Sequence, residues 1–165
     1  MGYTTYFSGS VTIDPPLNTG EIAFLKKFNE TRRMQRANGP YFVDGSGFAG
    51  QGSDPDIENF NAPPDGQPGL WCHWMPTDDG AEIVWDDGEK FYEAAAWMKY
   101  IITHFLQPDA LAKKQLPFLQ ANHTVNGTIE AQGEESEDRW DLIVKDNKVF
   151  VQEMRFAPVG DPEEV

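Results

Sequence analysis

Arg32, Arg33 and Arg36 are the residues whose type and spacing come closest to a chemical function. A guanidinium offers paired, coplanar donors to a phosphate or carboxylate. Arg32 and Arg36, four apart near the end of an expected helix, would share one helical face. The run Gly45-Ser46-Gly47-Phe48-Ala49-Gly50 follows, and amides in such a run can approach an anion closely. Arg32, Arg36, Gly45, Gly47 and Gly50, with Trp71 as an aromatic wall, therefore make a candidate site for a small, nucleotide-like anion. The structural alternative is that cations at a helix C-terminus complement its dipole and pair with an acidic surface. The glycines also match G-x-G-x-x-G, but a dinucleotide site needs a helix directly after them. Gln51-Gly52-Ser53-Asp54-Pro55 is a poor helix start, so the context argues against a Rossmann site.

Acidic residues offer a second kind of chemistry. The chain has 165 residues and a net charge of −14, from 13 basic and 27 acidic side chains. Met1 to Pro40 holds five basic and three acidic residues, so the excess comes from the remainder. Such a balance opposes direct binding to nucleic acid or to an anionic membrane, and no apolar run approaches the roughly 18 residues of a membrane span. Asp78 and Asp79, with Glu134, Glu135, Glu137 and Asp138, could instead present negative charge to a protein partner with a basic surface. The alternative is that turns, helix caps and a solvated loop account for them.

Catalytic and metal chemistry find less support. Cys72 is the only cysteine, which rules out an intrachain disulfide, and its neighbour His73 would face the opposite side of a strand. Neither these two nor His104 and His123 show metal-ligand spacing. No catalytic residue, metal ligand or cofactor is expected. Of the five tryptophans, periodicity assigns Trp85 and Trp140 to the core, whereas Trp71 and Trp74 have opposite parity and cannot both face it. One of the two is left for a pocket or interface.

The elements that must position these groups follow from periodicity and caps. Phe7, Gly9, Val11 and Ile13 alternate with polar residues in a strand over Thr5 to Ile13. Asn18 and Glu21 have capping-box spacing before Ile22, Leu25 and Phe28, predicting a helix that ends near Arg36 at Asn38-Gly39-Pro40. Ala37 to Pro68, with six glycines and five prolines, reads as a long loop with a short extended piece at Tyr41 to Val43. Leu70 to Met75 and Ala81 to Trp85 suit a hairpin, and Asp86 with Glu89 repeats the capping spacing before a helix carrying Phe91, Ala94, Met98, Ile101 and Phe105 up to Pro108. An irregular or partly helical connector over Asp109 to Ala121 precedes strands at Thr124 to Glu130, Arg139 to Val144 and Val149 to Glu153, the last two flanking a turn in which Asn147 tolerates positive φ. The expectation is an α+β domain over 1–157: a ferredoxin-like β-α-β-β-α-β sheet with both helices on one face and an added C-terminal hairpin, then a flexible acidic tail over 158–165. The N-terminal stretch lacks signal-peptide character, so a cytoplasmic location is expected.

The runs Gly39-Pro40-Tyr41-Phe42-Val43, Gln67-Pro68-Gly69-Leu70-Trp71-Cys72, Gly88-Glu89-Lys90-Phe91-Tyr92 and Asn126-Gly127-Thr128-Ile129-Glu130-Ala131-Gln132-Gly133 resemble those of a family of small acidic proteins from bacteria, chiefly actinobacteria, and their phages. The similarity extends from about Tyr3 to Val149. The resemblance implies a bacterial or phage accessory role, including interference with a host or competitor system, and brings no catalytic residue with it. Three functional expectations result. The leading one is a non-enzymatic interaction protein whose acidic surface engages a protein partner; the alternative is the anionic-ligand site above. The third is a hydrolase or transferase using Cys72 or a histidine.

Overall fold

In the computed structural model, which describes residues 2–165, the alternating residues form β1 (Tyr6–Asp14), with Phe7, Val11 and Ile13 buried and Ser8 and Thr12 exposed. The expected capping box closes α1 (Thr19–Glu30): Asn18 Oδ1 accepts from the Glu21 amide at 2.7 Å, and Glu21 Oε1 accepts from the Asn18 amide at 2.9 Å. The helix stops at Glu30, earlier than the sequence predicts. Thr31 turns extended, with ψ 133°, and the following amides bond outside the helix: Arg32 to Ala49 O, Arg33 to Leu70 O and Gln35 to Ala62 O. Tertiary hydrogen bonds thus override the local helical preference, and Arg32 and Arg36 share no helical face.

The long glycine- and proline-rich stretch is less irregular than expected. β2 (Gln35–Arg36) and β3 (Ile57–Asn59) pair antiparallel, and a single turn of 3-10 helix spans Phe48–Gly50. Tyr41 to Val43 is not a strand; Tyr41 and Val43 pack against the core instead. β4 (Trp74–Pro76) and β5 (Glu82–Trp85) then pair as a hairpin.

α2 (Ala94–Ile101) begins well after Asp86, which does not cap it. Positive φ at Asp87, Lys90 and Glu93 keeps the chain out of a helix until Ala94, and Asp86 accepts from Gly88 N and Asn29 Nδ2 instead. The helix continues as a π-helical turn over Ile102–Leu106. Turns then lead to β6 (Thr124–Gln132), β7 (Arg139–Lys145) and β8 (Lys148–Met154). Asp146 and Asn147 both take positive φ in the tight turn between the last two strands, and Asn147 Oδ1 braces the turn by accepting from Val125 N.

The result is an α+β arrangement with two helices and an open antiparallel sheet of six strands in the order β4-β5-β1-β6-β7-β8. Phe24 and Phe28 of α1 and Trp97 and Met98 of α2 join Phe7, Val11, Ile83, Ile129 and Leu142 of the sheet in one cluster. Side chains of the opposite parity, among them Tyr6, Ser8, Thr12, Thr128 and Glu130, remain exposed. No helix among the described residues is long and apolar enough to cross a membrane.

One polar junction is buried inside this frame. Glu21 and His123 are both fully buried; His123 Nε2 meets Glu21 Oε2 at 2.9 Å, and His123 Nδ1 meets Pro15 O at 2.6 Å. Both partners accept hydrogen bonds, so His123 satisfies them as an imidazolium, with a proton on each nitrogen. Burial works against its charge, but the bonds to Glu21 and Pro15 outweigh it and raise the pKa. For Glu21, burial pushes upward, whereas His123 and the amides of Asn18 and Gln120 pull the carboxyl below its ordinary value.

Candidate functional site

The arginine and glycine candidates come together, but around each other. Arg36 is buried; its guanidinium donates to Asp54 Oδ2 at 3.1 Å, to Asp56 Oδ1 at 2.9 Å and to the carbonyl of Gly50. Ser46, more than Arg36, holds the Asp54 carboxyl below its usual range through side-chain and backbone hydrogen bonds. The glycines serve this closure: a Cβ on Gly45 would lie 2.6 Å from Arg36 Nη2, while Gly47 and Gly50 take positive φ. Arg32 donates from Nε to Phe60 O at 3.1 Å. Arg33 is buried, lies 4.2 Å over the Phe28 ring and donates to Pro40 O; desolvation lowers its pKa to about 10. The anion expected at Arg36 is thus supplied by the chain's own carboxylates and carbonyl. Trp71 lines a separate cleft, whose wall contains none of the arginines.

The acidic candidates divide between opposite ends of the sheet. Asp78 and Asp79 sit in the β4–β5 turn, where Asp78 pairs with Lys26. Asp79 accepts from Ala81 N and Thr77 Oγ1, and these bonds lower its pKa. The register Asp14↔Thr124 and Tyr6↔Gln132 places that turn at one end of β1 and the β6–β7 loop at the other. Within the loop, Glu134 accepts from Thr4 N at 2.7 Å, and Asp138 accepts from the Tyr3 hydroxyl at 2.6 Å, raising the Tyr3 pKa. Among the described residues, the Glu135 and Glu137 carboxylates have neither an ion pair nor a hydrogen bond.

Glu137 also lines a groove on the surface. This groove of roughly 500 Å³ runs between the start of α2 and the β7–β8 hairpin, lined by Glu93, Ala95, Glu137, Trp140, Val151 and Glu153 among others. The register builds it: Trp140 stands opposite Glu153 and Leu142 opposite Val151, so Val151 and Glu153 lie on the helix-covered face of the sheet, in the last strand. Trp140 packs edge-on against Phe7, 5.8 Å between centroids, and ties the groove to the core. Phe150 is 50% exposed and Val151 57%, and among the described residues β8 has no strand on its outer side. Glu153 pairs with Arg155 at 2.9 Å, but both are largely exposed, and such a pair contributes little.

This combination of an unpaired backbone edge, an apolar strip and carboxylates is suited to holding an extended chain bearing cations and apolar groups. Cys72 lies on the buried side, its thiol pushed up to about 12 by desolvation, which disfavours the thiolate a nucleophile needs. No group of three or more His, Cys, Asp or Glu capable of holding a metal occurs among the described residues. Sequence reasoning selected Glu137 and missed Glu93, Val151 and Glu153. The run Val149-Phe150-Val151, apolar at both parities in the final strand, signals an exposed apolar side chain, and nothing local in the sequence signals Glu93 or Glu153. No protein-family model, curated protein or solved structure matches the chain.

Proposed function

We propose that the protein is a non-enzymatic interaction module that holds an extended segment of a protein partner along the free edge of β8, the segment carrying basic and apolar residues. The carrying observation is the unpaired outer edge of β8 beside Glu93, Glu137 and Glu153. Main-chain hydrogen bonds along the edge would supply affinity, and alternate side chains would supply selection: cations on the groove face against Glu137 and Glu153, apolar ones on the opposite face along Phe150. The net charge of −14 would speed the encounter with such a partner. The proposal treats the sheet as a ferredoxin-like core with the order β4-β5-β1-β6, to which the hairpin β7–β8 is appended, moving the free edge away from the core. It includes a cytoplasmic setting and a bacterial or phage accessory role, with interference in a host or defence system as one form of it.

The test is calorimetric titration with a peptide of alternating Lys and Val matched to the 7 residues of β8, against a Glu/Val control. The Lys/Val peptide is expected to bind, with affinity falling as salt rises. The double variant Glu137→Lys/Glu153→Lys should weaken it roughly tenfold or more. Equal binding of the two peptides, or salt-independent binding, contradicts the proposal.

A further inference from the structure

The cleft that contains Trp71 has a feature the interaction surface does not use. It measures roughly 560 Å³, and its lining includes Gly69, Leu70, Trp71, His73, Tyr92 and Trp97. Trp97 is fully buried, yet among the described residues its indole Nε1 has no hydrogen-bond partner. The contrast with its neighbours is sharp: Trp74 Nε1 donates to Ala94 O at 2.8 Å, and Trp85 Nε1 donates to Gly88 O at 3.2 Å. Buried indole N–H groups ordinarily find an acceptor. The Trp97 donor lies behind Gly69: a Cβ built on that residue would meet Trp97 Nε1 at 3.7 Å and no other heavy atom within 4 Å. A side chain at position 69 would thus stand against this donor, and glycine keeps that side of it clear.

The rest of the cleft suits a flat ring. Trp71 and His73 have nearly parallel rings, 13° apart with centroids separated by 6.4 Å, giving an aromatic wall of two planes in one orientation. His73 is held there by Asp86 Oδ2, 3.0 Å from Nδ1, and Asp86 is held in turn by Asn29 Nδ2 at 3.0 Å and Gly88 N at 2.7 Å. With Nδ1 committed to the carboxylate, Nε2 remains as a second polar contact. The segment behind Gly69 has further unmet polar atoms: Gln67 Oε1 lacks a donor although Gln67 Nε2 bonds Gly69 O, and Arg33 Nε and Nη1 lack acceptors.

From this geometry we infer that the Trp71–Trp97 cleft binds a planar heteroaromatic small molecule, which stacks on Trp71 and accepts a hydrogen bond from Trp97 Nε1 past Gly69. The site is independent of the β8 edge.

The test follows the Trp97 indole N–H resonance of ¹⁵N-labelled protein during titration with quinoline, benzimidazole and adenine, with naphthalene and indene as acceptor-free controls. At least one heterocycle is expected to shift that resonance downfield and to bind roughly tenfold tighter than the hydrocarbons, since only the former pair the buried donor. Gly69→Ala places a methyl at ordinary contact distance over the donor, and is expected to abolish the preference while leaving the other indole resonances in place. Trp71→Ala, at a half-buried position, should weaken all ligands. Equal affinity for heterocycles and hydrocarbons, binding that leaves the Trp97 resonance unmoved, no binding by any of the probes, or an undiminished preference in Gly69→Ala overturns the inference.

Discussion

The Arg36 clamp and the β8 groove treat charge in opposite ways. Around Arg36, each charge has a partner within the chain: two carboxylates and a carbonyl receive one buried guanidinium, and the surrounding glycines permit the close approach. In the groove, Glu93 and Glu137 stand beside an exposed apolar strand with no cation paired to them among the described residues. From residue type alone, the acidic surface is the leading expectation and the arginine site the alternative. Partner geometry separates the two further, because a charge already matched internally has little left for a ligand, whereas an unmatched one beside exposed apolar area retains its capacity to bind.

The largest expected effect breaks the internally matched side. Arg36→Met leaves the part-buried Asp54 and Asp56 facing each other without their cation and the Gly50 carbonyl without its donor, and should cost about 1–3 kcal/mol by urea denaturation, the range for leaving buried polar groups unpaired. Arg36→Lys, which keeps the charge but not the planar donors, should recover only part of it.

A pH series gives the next largest effect, through Glu21 and His123. The folded pKa of His123 is raised above 6.5, so its contribution is complete below that value and is lost as pH rises through the folded pKa. Glu21 is depressed below 4.5, so its contribution is present above 4.5 and is lost as pH falls through the folded pKa. The pair therefore stabilises most between these values. The stability difference between wild type and His123→Asn, measured by denaturation across pH, should be greatest in that window and shrink on both sides.

Charge reversal in the groove sharpens the comparison from the other direction. Glu137→Lys/Glu153→Lys should leave the denaturation midpoint unmoved, since both side chains are exposed, while weakening the basic peptide roughly tenfold. The smallest effect is expected at Asp78, whose carboxylate is 96% exposed despite its contact with Lys26. Asp78→Asn should change neither the midpoint nor peptide binding, which would separate that turn from the groove at the far end of the sheet.

What the sequence could show depended on how local each determinant is. The Asn18–Glu21 box closes within four residues and was legible, as was the positive φ of Asn147 in a two-residue turn. Asp86 and Glu89 have the same spacing as the first box, but three positive-φ residues and the hydrogen bonds from Asn29 and Gly88 give Asp86 a different role. The early end of α1 depends on carbonyls of Ala49, Leu70 and Ala62, which lie far along the chain. The Glu21–His123 bond joins residues 102 apart, and Glu93 and Glu153 line one groove from opposite sides of it, the helix and the hairpin. Such sites depend on strand order, which periodicity does not encode. Parity leaves either Trp71 or Trp74 for a pocket; Trp74 is buried and Trp71 lines a cleft whose wall holds none of the arginines grouped with it.

Hydrogen exchange across β8, with and without the Lys/Val peptide, tests the central claim most directly. If a partner segment occupies the free edge, exchange should slow along Lys148–Met154 when the peptide is added, and the protection should disappear at high salt and in Glu137→Lys/Glu153→Lys. Peptide binding without protection of β8, or protection that salt and charge reversal leave unchanged, would contradict it.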